Sequence, residues 1–424
     1  MEHDLVLEGR VVTTAGILET EVGISEGVIV EVGHGLRGSR RIVTGGCLIF
    51  PGFIDMHVHL REPGWEWKED FGTGTLAAAH GGVTTVVDMP NNLVPVTTRA
   101  TLETKRRLSR AKARVGVEFY GGVAADGVDA LEALADGVVG YKIFLSETTG
   151  SKSFPEDRLS AAFRAIASTK RPVSLHCEEQ SVIDCMRERL AGEVRPDLHC
   201  DLRPPEAESE SVRKAAVALE SAPGLKANVC HASVRGTLQA VREARAQGAM
   251  LYCEAALHHL YFSRRAMLSN PFLKMNPPLR SDADRSAMLD GLRAGAVSFL
   301  VTDHAPHTEA EKREKGLAGV PGLDDFGHLV SWLIRERGMD PSLIAKVAAH
   351  NPANFLGLGN RGDIAERKRA DISVLDLRSP EVVKNESVQS RCGWSPYEGE
   401  EFPGKVRWTI FGGELLVDDF EVVR

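Results

Sequence analysis

Short β-branched and apolar runs recur along the middle of the chain, separated by longer Ala-, Leu- and charge-rich stretches at helical spacing. The runs fall near 53–58, 83–88, 115–120, 138–143, 172–177, 226–231, 249–254 and 297–303, and helices are predicted over Thr98 to Ala113, Ser233 to Gln247 and Asp282 to Ala294. This alternation implies parallel βα units, and eight of them predict an α/β protein built as a (β/α)8 barrel. The two ends of the chain read differently. Leu5-Val6-Leu7, Val28-Ile29-Val30 and Leu48-Ile49, set among Gly-rich turns, predict small antiparallel strands and no helix. Asp371 to Asp376 and Val406 to Phe411, the latter followed by Gly412-Gly413, predict more of the same. The expected organisation is a barrel of residues 51–356 flanked by residues 1–50 and 357–424, which join in a small β-sandwich domain.

A barrel of this kind carries its chemistry where strands end and loops begin. The first predicted strand runs into His57 and His59, the second into Asp88 and Asn91, and the fourth into Lys142. The fifth and sixth end at His176 and His231, the seventh at Glu254 and the eighth at Asp303; the third offers no candidate. One polar residue at a strand end is ordinary, but this many converging on one mouth predicts a site.

Composition narrows the class of function. Hydrophobic content of 43% with 26% charged residues suits a globular protein, and no apolar run is long enough to span a bilayer. The first residues lack a basic stretch followed by an apolar one, so the expected location is the cytoplasm. The seven cysteines, at 47, 177, 185, 200, 230, 253 and 392, are odd in number and form no Cys-x-x-Cys pair, which argues against a disulfide framework or a zinc ribbon. The net charge of −8 is spread along the chain with no basic run, so a nucleic-acid partner is not expected and a small-molecule substrate is.

Histidines two apart in a strand point to the same face, so one cation can take both His57 and His59. Imidazole suits zinc, and His176 and His231 extend the ligand set. A pair of close metals needs a bridging anion, and strand four offers Lys142 in place of a carboxylate. Burial disfavours a charged lysine, and a neutral amine reacts with carbon dioxide to give an anionic carbamate; a strand-end lysine more often forms an ion pair.

The segment Pro51-Gly52-Phe53-Ile54-Asp55-Met56-His57-Val58-His59-Leu60-Arg61-Glu62-Pro63-Gly64 resembles the opening barrel strand of dihydroorotases. Met89-Pro90-Asn91-Asn92, Asn276-Pro277-Pro278-Leu279-Arg280, Thr302-Asp303-His304-Ala305-Pro306-His307 and Asn351-Pro352-Ala353 resemble further motifs of that family, in its order. The resemblance covers essentially the whole chain and implies a zinc-dependent cyclic amidohydrolase that interconverts N-carbamoyl-L-aspartate and dihydroorotate in pyrimidine biosynthesis. It implies two zinc ions: His57 and His59 on the more buried one, His176 and His231 on the more exposed one, and carboxylated Lys142 bridging them with a hydroxide. Asp303 would contact the first zinc and shuttle a proton.

For the substrate carboxylate the resemblance implies Arg61, whose planar fork matches two oxygens, with Asn91 and His307 completing a clamp. Asn276, Pro321 and Gly322 would contact the ring, and Thr148 would belong to a loop that closes over it. Cys230 and Glu254 resemble residues proposed to hold a third zinc in the animal enzyme; the alternative is a buried thiol and a hydrogen-bonded carboxylate. The resemblance also implies a homodimer. The rival readings are an allantoinase or dihydropyrimidinase (hydantoinase), which act on rings without that carboxylate, and an inactive dihydroorotase-like partner of aspartate transcarbamoylase.

Overall fold

The computed structural model describes residues 2–124, 127 and 130–423. Eight parallel strands follow one another in chain order: Phe53–Val58, Val83–Asp88, Gly116–Gly122, Gly140–Phe144, Val173–His176, Ala227–Val229, Leu251–Ala256 and Phe299–Val301. Each predicted run matches its strand to within two residues at either end. The ring closes where Val58 bridges His304 in parallel and the His59 amide donates to the His304 carbonyl at 2.8 Å. Helices cover the outside, so most strands are buried from end to end, and the sequence shows apolar runs rather than alternation.

The three helices predicted explicitly are present as Arg99–Lys112, Arg235–Ala246 and Asp282–Arg293. Thr98 and Ser281 cap the first and last by accepting from backbone amides that have no partner inside the helix. Helix Asn351–Leu356 begins with Pro352 in its first turn, where a missing N–H costs nothing, and Asn351 Nδ2 reaches back to the carbonyl of Ser298, just before the eighth strand, at 2.9 Å.

Both chain ends enter one further sheet of eight strands. Its order is Glu421–Val422, Glu414–Asp418, Lys405–Phe411, Ile372–Asp376, Arg37–Pro51, Glu2–Thr13, Gly16–Ser25 and Val28–Gly33. The pairing departs from the purely antiparallel expectation at one place. Glu2–Thr13 and Arg37–Pro51 run parallel, because two intervening hairpin strands return the chain beside its start in the original direction. Leu7, Val11, Ile49, Ile372, Val374 and Trp408 form the core of this sheet. It grips the barrel through Thr409, whose hydroxyl donates to the Ala79 carbonyl at 2.7 Å, and Ser373, whose hydroxyl donates to the Gly82 carbonyl.

Between Ile372–Asp376 and Lys405–Phe411, residues 385–397 pack against the barrel loops. Trp394 Nε1 donates to the His307 carbonyl at 2.8 Å, the Gln389 amide to Asp324 at 2.9 Å, and the Ser390 hydroxyl to Glu69. Among the described residues, no helix is long and apolar enough to cross a membrane.

Candidate active site

Asp55 locks the first strand to the eighth. Its carboxylate accepts from the His57 amide at 3.1 Å and from the Thr302 amide at 3.0 Å. That brings His57 and His59 against Asp303: each Nε2 stands 3.3 Å from the same Asp303 oxygen. The three ligand atoms lie within 4.8 Å of one another, and all three residues are buried or nearly so. From the opposite wall, His176 Nδ1 faces His231 Nε2 at 3.0 Å, with the rings 76° apart. Lys142 lies with them in the interior, 1% exposed, its Nζ 2.8 Å from Cys230 Sγ. Among the described residues no carboxylate comes within ion-pair distance of that amine.

The outer nitrogens of these rings decide what the inner ones can do. Glu254 accepts from His57 Nδ1, the Asn91 side-chain oxygen accepts from His59 Nδ1 at 2.8 Å, and Glu178 accepts from His176 Nε2 at 3.0 Å. Each bond fixes a tautomer whose other nitrogen presents a lone pair to the interior. Burial drives His59 down to about 3 and lowers His176, while His231 falls well below the usual imidazole range. Asp303 is held well below the ordinary carboxylate range: burial opposes ionisation there, but His57 and His59 outweigh it. Inward-facing imidazole lone pairs, an ionised carboxylate and an amine without an ion-pair partner form a donor set that fits zinc.

Three residues of the mouth adopt left-handed backbone: Arg61 at φ 62°, His231 at 37° and Asp303 at 49°. Such conformations cost non-glycine residues about 1–3 kcal/mol each and persist where surrounding contacts impose them. For His231 the imposing contact is Glu254, which accepts from its amide at 3.1 Å, while the other Glu254 oxygen takes Asn228 Nδ2 at 2.7 Å. Glu254 and Cys230 do lie together with His57 within 4.8 Å. Both are already engaged, Glu254 with three donors and Cys230 with Lys142, which supports the hydrogen-bonded reading of the pair over a third zinc.

The pocket over this cluster is lined by His57, His59, Arg61, Asn91, Phe144, Thr148, Thr149, His176, His231, Asn276, Asp303, Ala305, Ala318 and Gly319. Of the residues predicted from sequence, Arg61, Asn91, Thr148 and Asn276 are therefore in its wall. Asn91 is doubly committed, since its Nδ2 also donates to the Thr149 carbonyl at 2.8 Å. Asn276 Nδ2 reaches Thr148 Oγ1 at 3.4 Å, so two asparagines hold the 148–149 loop over the site. His307 stands outside the lining, behind Arg61 at 3.5 Å, and Pro321 and Gly322 follow Gly319 beyond it, the Gly322 amide donating to His304 Nδ1 at 3.1 Å.

Three contributors were not legible as functional residues in the sequence. Glu178 orients His176, and burial would raise its carboxyl, but Arg203 and His176 hold it down to about 2. Arg203 also donates to the Glu147 carbonyl at 2.6 Å. His199 Nε2 donates to the Asn276 side-chain oxygen at 2.8 Å from a helix 77 residues away in sequence. Only the Glu178 position, two residues past His176, carried a local signal.

The sequence profile of the Amidohydrolase family matches residues 48–416, from just before the first barrel strand to the last sheet. The chain belongs to the amidohydrolase family. This amidohydrolase is a hydrolytic enzyme, and zinc dependence is typical of its family. It is 32% identical over 428 aligned residues to a dihydroorotase of Methanosarcina mazei, spanning 96% of this chain and 92% of that protein. A dihydroorotase of Pyrococcus furiosus is likewise 32% identical, with 99% and 94% covered. An allantoinase of Enterococcus faecalis is 31% identical, with 98% and 96% covered. In fold, the amidohydrolase superimposes on an L-hydantoinase (dihydropyrimidinase) of Arthrobacter aurescens with a TM-score of 0.96 at 23% identity, covering 100% of this chain and 98% of the other.

Proposed function

We propose that this amidohydrolase is a dihydroorotase, closing N-carbamoyl-L-aspartate to dihydroorotate and water and running the same path in reverse. The observation that carries this reading is Arg61. Its guanidinium is 3% exposed, lines the pocket beside His59, and among the described residues has no carboxylate within 4 Å. Burial lowers it to about 10, so it keeps its charge at neutral pH. A buried, charged fork with spare donors is costly unless a ligand supplies the anion. Dihydroorotate and carbamoyl aspartate both carry a carboxylate; hydantoin and dihydrouracil rings do not.

His57 and His59 with Asp303 would hold one zinc and His176 and His231 a second, with carboxylated Lys142 as the anion between them. Bound there, zinc would provide a hydroxide nucleophile at neutral pH by lowering the pKa of water to about 7, and would polarise the ring carbonyl. Asp303 takes the proton of the attacking water and returns it to the ring nitrogen as the C–N bond breaks; in the cyclising direction it removes a proton from the carbamoyl nitrogen. Arg61 anchors the carboxylate, with Asn91 and Asn276 in the same wall and His307 behind. The loop at Thr148 excludes bulk water while the ring reacts.

The allantoinase relative favours a second reading, another cyclic amidohydrolase. The complete set of His57, His59, Lys142, His176, His231 and Asp303 argues against an inactive partner of aspartate transcarbamoylase, although an active enzyme could still bind one. The test is zinc content together with ring opening of dihydroorotate, allantoin and dihydrouracil side by side, and cyclisation of carbamoyl aspartate in the other direction. Turnover of dihydroorotate at least a hundredfold above the other two rings is expected. Preference for allantoin or dihydrouracil would replace this reading with the second.

A further inference from the structure

Behind Arg61 lies a line of polar groups that the reaction itself does not use. Lys68, 5% exposed, points its ammonium at His307 Nδ1 at 3.1 Å and at Glu311 Oε1 at 3.1 Å, between the rings of Trp65 and Trp67 at 5.4 and 6.0 Å. An ammonium only donates, so His307 Nδ1 must accept and the ring proton must sit on Nε2. That proton goes to the Ala318 carbonyl at 3.1 Å, beside Gly319 of the pocket wall. Nothing here protonates the ring a second time: burial, with Arg61, Lys68 and Lys312 around it, brings His307 down to about 2.

The consequence falls on Arg61. Its Nε donates to the Pro306 carbonyl at 3.1 Å, while one terminal nitrogen stands 3.5 Å from His307 Nε2. With the proton on Nε2, two donors face each other and no hydrogen bond forms, so the terminal donors of Arg61 remain open to the pocket. Without Lys68, Nδ1 would face Glu311 Oε2 at 3.9 Å, an acceptor, and with the Arg61 donor 3.5 Å from Nε2 the two draw the proton to Nδ1 against the single pull of the Ala318 carbonyl at 3.1 Å. Nε2 would then accept, and it would draw the Arg61 nitrogen away from a ligand.

We propose that Lys68 is a positioning and specificity-determining residue: by fixing the His307 tautomer it keeps Arg61 available for the substrate carboxylate. This rests on the dihydroorotase reading for the identity of the anion, but the tautomer does not. The test is Lys68→Met, which keeps length and removes the donor, beside Lys68→Arg, which remains a pure donor. Kinetics with dihydroorotate and the side-chain nitrogen shifts of His307, assigned with His307→Gln, are measured on the zinc-loaded protein. Lys68→Met should raise KM tenfold or more while kcat falls no more than threefold, and should move the His307 proton from Nε2 to Nδ1. Lys68→Arg should restore both and confirm that the site tolerates substitution. An unmoved tautomer in folded Lys68→Met, or equal losses in kcat and kcat/KM, would overturn the proposal. Absence of dihydroorotate turnover in the wild-type protein would instead remove the functional reading, and the nitrogen shifts would still decide the role of Lys68.

Discussion

Glu254 Oε1 accepts from both His57 Nδ1 and the His231 amide, so one carboxylate within the seventh strand orients a residue of the first strand and one just past the sixth. Removing such an orienting partner typically costs 10–100-fold in metal affinity. Glu254→Ala is expected to weaken zinc binding by about that factor. Competition with a chromophoric chelator measures it, and wild-type affinity in a folded variant would show that His57 needs no such support.

Lys142 is the anion of the site only if it is carboxylated. Lys142→Ala should lose most bound zinc and at least a thousandfold in kcat, and added short-chain carboxylates should restore part of both. A carbonyl signal in the wild-type protein grown with labelled bicarbonate, absent in the variant, would identify the carbamate directly. A variant that keeps full zinc and full activity defeats the assignment.

Arg61→Ala should raise KM for dihydroorotate by two orders of magnitude or more, because it removes a desolvated, charge-assisted pair. Steady-state kinetics in both directions check this. Unchanged KM would place the carboxylate elsewhere.

Gly319 forms part of the pocket wall at φ 133°, and a Cβ there would stand 2.5 Å from the Ala305 carbonyl oxygen. Gly319→Ala should therefore cost about 2–4 kcal/mol, strain and overlap together, and lower kcat/KM by shifting the wall. Gly224, also left-handed at φ 84° but with nothing within 4 Å, is the control, at about 1–2 kcal/mol. Thermal unfolding separates them; equal effects would mean that the wall yields freely.

His328 is buried between Glu381 Oε2 at 3.1 Å and Asp325 Oδ1 at 3.5 Å, joining the helix Phe326–Arg335 to the C-terminal segment. Burial alone would lower it, yet the two carboxylates raise it to about 9. A pKa raised on folding stabilises fully below the unfolded value near 6.5, and the gain is lost as pH climbs through 9. Unfolding free energy should thus decline by up to about 3 kcal/mol across that window. His328→Gln should flatten the decline, and an identical slope in wild type and variant would rule the pair out as its source.

The sequence by itself determined the barrel and named most of the residues that meet at its mouth. Buried parallel strands must be apolar through their length and end in polar loops, so the eight runs and the residues just past them, from His57 to Asp303, were local patterns. That both chain ends supply strands outside the barrel also followed, because short apolar runs among Gly-rich turns mark the first fifty residues and the segments 371–376 and 406–411.

What only the tertiary structure decided is which groups meet. The parallel pairing of Glu2–Thr13 with Arg37–Pro51 depends on where two hairpin strands return the chain. His307 sits behind Arg61 rather than in the pocket wall, and Lys68 sets its tautomer. His199 orients Asn276, and Glu178 and Glu254 orient the histidines. Hydrogen bonds fall off within a fraction of an ångström and carry no periodicity, so partners 32 to 197 residues apart, as for His59–Asn91 and His57–Glu254, leave no pattern along the chain. The sequence therefore named the histidines, and only the closing of the ring decided which face of each one is free.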